Sequence, residues 1–275
     1  MAEIMPPEEI AKHIAVLNEA HNAAELAPSA IALAGSEDRN GTVALARALR
    51  QTQFLEELEI AAGSATNLSH VFRALTQHPT ESSGRLCELV YGEAAFREMP
   101  ARINLLLHAL AAVKPVTPRA EEIFRDMCAN GFAQVCGPSL IANGEPPALA
   151  IFAEIMTGDW VEGYVKVDIA HRALLPVRDR ISIIQMCARI LRDLPDEQVR
   201  NGIVETLYDY RSKEWFGPAM YAPEPPDWNQ APDESLELLI RLGEWLLNQN
   251  VPPQLAIPIR TTIERLSEIL RSRRQ

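Results

Sequence analysis

The stretch Met99–Cys128, MPARINLLLHALAAVKPVTPRAEEIFRDMC, decides the fold. Ile103, Leu105, Leu106, Leu107, Leu110 and Val113 make Arg102–Val113 apolar on most of its surface, so the spacing predicts a helix buried between neighbours. Lys114-Pro115 ends it. Thr117 then stands as an N-cap before Pro118 at the first helical position, with Glu121 and Glu122 in the opening turns and Ile123, Phe124 and Met127 as the next apolar stripe. One striped helix, a short Pro-containing turn and a second striped helix form a unit that cannot bury its apolar face alone.

The same unit returns at Arg178–Arg211 and at Glu234–Arg271. Upstream, Ile10, Ile14 and Leu17 fall on one helical face. A short helix is expected at Pro28–Ala34, and another through Val43, Leu45, Ala46 and Leu49 after a cap in Ser36-Glu37-Asp38. Further helices are expected at Phe54–Ala62, from the Thr66-Asn67 cap through Leu75, and from Thr80 through Leu86, Leu89 and Val90. The stretch 137–147 (GPSLIANGEPP) reads as a break. Val161–Val167 alternates briefly but lies among helical patterns and reads as helix. Asp196 caps the stripe Val199, Ile203, Leu207 and Tyr210.

Arg102-Ile103-Asn104-Leu105-Leu106 is similar to Arg180-Ile181-Ser182-Ile183-Ile184, an offset of 180 − 102 = 78, or two steps of 39. Helix-pair repeats of the HEAT and armadillo kind run about 40–47 residues. Over Asn67–Leu207 the chain resembles a divergent array of that kind, with LPDEQVRNGIVETL (Leu194–Leu207) most like a second repeat helix. The resemblance implies an all-α fold: a right-handed α-α superhelix of stacked antiparallel pairs. The whole of 1–275 then reads as a single helical-repeat domain with a sub-boundary near 137–147 and a loop insertion at 215–232. The pair at 233–272 closes it, with the polar outer face of a capping unit.

Composition narrows the function classes. Apolar residues make up 47% of the chain, enough for a continuous core. No apolar run is long enough to span a bilayer, and the start MAEIMPPEEI lacks the basic segment of a secretory leader, so a cytoplasmic protein with no membrane partner is expected. The formal charge is −11, with 22 Arg and only 4 Lys among the cations. That balance argues against a phosphate backbone as partner. Arg271-Ser272-Arg273-Arg274 is the one basic cluster and suits a helix C-terminus.

Chemical motifs are sparse. Phosphate-cradling Gly loops, HExxH and GxSxG are all absent, so no cofactor, metal or catalytic residue is assigned. Cys87, Cys128, Cys136 and Cys187 are scattered without zinc-like spacing and read as buried apolar residues. Asp168-x-x-His171 reads as a helix-surface polar contact. His108, inside an apolar helix, reads as a core histidine. Glu56-Glu57-Leu58-Glu59 reads as a solvated acidic face.

The segment WFGPAMYAPEPPDWNQAP (Trp215–Pro232) breaks the array. Five prolines forbid helix there, while Trp215, Phe216, Tyr221 and Trp228 supply rings of the kind that anchor partners or pin a loop to its domain. These four are the candidate partner-binding residues. The expected function is a protein–protein interaction scaffold holding a partner helix or peptide that is basic at least locally. The alternative is an all-α enzyme: HEAT-like DNA glycosylases resemble the chain in helical repeats and size, and use Trp and Asp in a basic groove. The net charge speaks against it.

Overall fold

The computed structural model describes residues 5–19, 22–62, 65–208, 227–249 and 251–275. The described chain is all-α apart from one two-residue β pair, and it divides into two compact units, 1–127 and 128–275.

The first unit begins with α1 (Pro7–Glu19), α2 (Ala23–Ala34), α3 (Arg39–Leu49) and α4 (Thr52–Leu58). Ala61–Ala62 (β1) then pairs antiparallel with Ala65–Thr66 (β2), Ala61 opposite Thr66. Helices α5 (Asn67–Gln77), α6 (Glu81–Tyr91), the single turn α7 (Ala94–Arg97), α8 (Pro100–Ala112) and α9 (Pro118–Met127) follow. Helices α2, α5 and α8 pack in one row, α3, α6 and α9 in a second, and α1 lies against both α2 and α3. The packing is that of stacked helix pairs. Between the rows, Leu33, Leu45, Leu49, Leu55 and Leu58 are fully buried, and Phe72 meets Phe96 at 5.9 Å between ring centroids. Each such leucine contributes about 1.5–3 kcal/mol by leaving water.

The helix starts come from local chemistry. Asp38 accepts from the Gly41 amide at 2.8 Å, Thr80 and Ser83 form a reciprocal capping box, and the Thr117 hydroxyl accepts from the Ala120 amide at 3.0 Å. Each cap is worth about 1 kcal/mol. The expected helix over Phe54–Ala62 is shorter than the sequence suggests. It stops at Leu58, and the chain turns through the β pair. At that turn Glu59 is engaged by Arg102 of α8, whose Nε and Nη2 donate to the two carboxylate oxygens at 2.6 and 2.7 Å while Nη1 donates to the Ala95 carbonyl at 2.6 Å. Glu59 therefore belongs to a fork-on-fork ion pair and not to a free acidic face.

The second unit starts with a kink (Cys128–Phe132), where Asn130 and Gly131 (φ +93°) leave helical geometry, and continues through α10 (Ala133–Asn143), α11 (Pro146–Thr157), α12 (Gly163–Leu174), a 3₁₀ turn (Leu175–Val177), α13 (Ile181–Asp193), α14 (Glu197–Tyr208), α15 (Asp233–Leu247) and α16 (Pro253–Arg273). Helices α10, α12, α14 and α16 form one row, and α11, α13 and α15 the other. Helix α12 is gripped on both sides. A Cβ built on Gly137 of α10 would lie 2.5 Å from Ile169 Cγ2, and one on Gly202 of α14 would lie 2.9 Å from Val167 Cγ1. Glycine at both positions lets the three helices approach this closely.

The stretch 137–147 is not the break that its Gly and Pro content suggests. Helix α10 runs through Pro138 to Asn143, and the chain turns at Gly144, a left-handed C-cap with φ +74°. Likewise α2 begins at Ala23 and carries Pro28 inside it. An interior proline costs a helix about 3 kcal/mol locally, and packing against several neighbours offsets that cost.

Candidate functional site

A groove lies in the first unit, between α3 and α6. The sequence places Arg39, Thr42, Val43 and Ala46 on one face of α3, at i, i+3, i+4 and i+7. On α6 it places Ser82, Arg85, Leu86 and Leu89 on one face. Arg50, just past the end of α3, bonds Glu93, just past the end of α6, at 2.6 Å. The two helices therefore run parallel, and their first turns meet at the other end. The groove between them, about 370 Å³, has an exposed mouth of Arg39, Val43, Glu81, Arg85 and Leu89 and a buried floor of Thr42, Ala46 and Leu86. That volume lies at the lower end of the range for binding pockets.

Two lining residues are unusually open for their type: Val43 is 48% exposed and Leu89 55%. The sequence reading put both in the buried stripes. Their neighbours Leu45, Leu49, Leu86 and Val90 are buried, as predicted. Helical geometry holds the missed signal. At about 100° per residue, Val43 lies about 160° from Leu45, and Leu89 about 60° to the side of Leu86.

The mouth carries opposing charges. Arg85 Nη2 donates to Glu81 Oε1 at 2.6 Å, with both side chains mostly in solvent, so the pair is weakly held. Arg39 is exposed and forms no ion pair among the described residues. Of the charged side chains that line the groove two are cations and one is an anion, in a chain whose net charge is −11.

A second cleft, in the unit 128–275, is lined by Trp245 with Arg192, Glu197 and Arg200 and measures about 130 Å³. It is too small for most ligands.

Of the four aromatic residues singled out in the sequence, Trp215, Phe216 and Tyr221 lie outside the described residues. Trp228 is 5% exposed, and the Arg178 guanidinium stacks 5.6 Å from the centre of its ring. Its neighbour Asp227 is bonded by the Asn229 amide and side chain, which hold its carboxyl below the usual range. The Asp227–Trp228 pair thus turns its ring inward and packs it against a buried arginine.

Arg178 belongs to a buried polar cluster that the sequence did not announce. It is fully enclosed, and its Nη1 donates to the Thr206 carbonyl at 3.3 Å. His171 is buried beside it, not on the helix surface as expected, and Asp168 pairs instead with Arg172 at 3.0 Å. The Thr206 hydroxyl lies 2.8 Å from the Gly202 carbonyl and 3.0 Å from His171 Nδ1, and Glu205 Oε2 lies 3.8 Å from the other ring nitrogen. Burial lowers the His171 pKa, against the pull of Glu205 and Asp168 in the opposite direction. His108, expected in the core, instead points from the exposed side of α8.

The four cysteines are buried thiols, and desolvation raises Cys87 to about 12. Among the described residues no three His, Cys, Asp or Glu side chains converge as a metal centre requires, and no helix is long and apolar enough to cross a membrane. No family model and no curated protein matches the chain.

Proposed function

We propose that the chain is a helical-repeat interaction scaffold of HEAT-like character, and that the groove between α3 and α6 holds a segment of a partner protein. The row-wise stacking of helix pairs in each unit supports the repeat reading, because such arrays present surface and not a closed reaction chamber. The observation that carries the binding role is the exposure of both Val43 and Leu89 at the mouth of one groove of about 370 Å³. Half-exposed aliphatic side chains in a concave site lose their remaining contact with water when a partner side chain covers them.

The test is a comparison of partners recovered from native cells by proximity labelling with the wild-type chain, Leu89→Glu and Tyr164→Ala. Tyr164 is exposed in the other unit and serves as a control for loss of surface apolar area. The expected result is at least one protein labelled by wild type and Tyr164→Ala and lost with Leu89→Glu, with helicity by circular dichroism equal in all three. The same labelled set from all three would remove the groove from consideration.

A further inference from the structure

The groove is chemically polarised, and this selects its occupant. The Arg50–Glu93 bond fixes α3 and α6 as parallel, so along the groove Arg39 stands in the first turn of α3, Arg85 one turn into α6 and Leu89 a turn further on. The acid in the mouth, Glu81, is already committed to Arg85 through a solvent-exposed bond, and Arg39 has no such acid among the described residues. We infer that the groove takes an amphipathic peptide segment carrying two aliphatic side chains and, about one helical turn away, a carboxylate. The aliphatic groups cover Val43 and Leu89, while the carboxylate bridges Arg39 and Arg85.

This rests on the reading of the groove as a protein-binding site and names the chemistry of its occupant. It departs from the expectation of a basic partner drawn from net charge. Net charge governs the long-range field, but the contact is decided by the groups within a few ångströms of the ligand. A basic peptide would set its cations against Arg39 and Arg85, whereas an acidic one gains charge-assisted hydrogen bonds to both guanidinium groups.

The test uses the full chain and a phage-displayed library of helical peptides. Selected sequences are synthesised, and their affinities are measured by fluorescence anisotropy against wild type, Leu89→Glu, Arg39→Glu and the distant control Tyr164→Ala. The expected consensus has two aliphatic positions and an acid one turn away. Binding should fall about tenfold or more with Leu89→Glu and about 3–10-fold with Arg39→Glu, and stay unchanged with Tyr164→Ala. Replacing the peptide acid by its amide should remove the sensitivity to Arg39→Glu. Peptides that need Leu89 but lack an acid, or carry a basic residue in its place, would overturn this inference and leave the groove reading standing. Peptides indifferent to Leu89→Glu, or failure to select any, would overturn both.

Discussion

Arg102 and Glu59 sit far apart in sequence and meet through two parallel N–H···O bonds, with the arginine almost fully enclosed. The bond to Arg102 lowers the Glu59 pKa. Replacing Arg102 with Ala would leave a half-enclosed carboxylate and the Ala95 carbonyl without their donors. The expected loss is about 3 kcal/mol in urea unfolding, with Arg102→Lys intermediate because an ammonium cannot make the forked pair. His171 gives a pH dependence whose sign is set by burial. Its folded pKa lies below the ordinary 6.5, so the folded state resists a proton that the unfolded chain accepts. The stabilisation is complete above pH 6.5 and is lost as pH falls below it. Thermal melts across that range should show a falling midpoint, and His171→Gln should flatten the slope.

At the scale of the helix, α12 depends on absent side chains. Gly137→Ala would drive a methyl group into Ile169, and Gly202→Ala would drive one into Val167. Each should cost about 1–3 kcal/mol, read as a lower denaturation midpoint with an unchanged slope. Alanine is the better helix former, so a stabilising result would mean that the row α10–α12–α14 is looser than described. The caps at Asp38, Thr66, Thr80, Thr117 and Asp196 were all legible, because an N-cap is a contact within three residues. The helix ends at Leu58 and Asn143 were not. Leu58 is followed by a turn held by an arginine from α8, and Pro138 is tolerated inside a helix braced by its row. Both depend on partners distant in the chain.

At the scale of the molecule, the all-α class follows from stripes at helical spacing. The division at Met127/Cys128 does not, since the chain crosses it through a short kink at Asn130-Gly131 with no Pro- or Gly-rich linker. Each unit exceeds the size at which a single core becomes adequate. Residues 1–127 expressed alone are expected to give a cooperative thermal transition with the helicity of the described segments. A broad, non-cooperative melt would mean that its core is completed elsewhere.

By itself the amino-acid order determined the all-α class, five of the helix caps and most of the apolar stripes, because these depend on spacing within a few turns of chain. Tertiary structure alone decided which of the apolar positions stayed uncovered. Val43 and Leu89 look like their buried neighbours in the string of letters, and the letters leave Trp228 open between anchoring a partner and packing onto its own domain. Exposure is a property of what packs alongside, and the packing partners of each come from other helices.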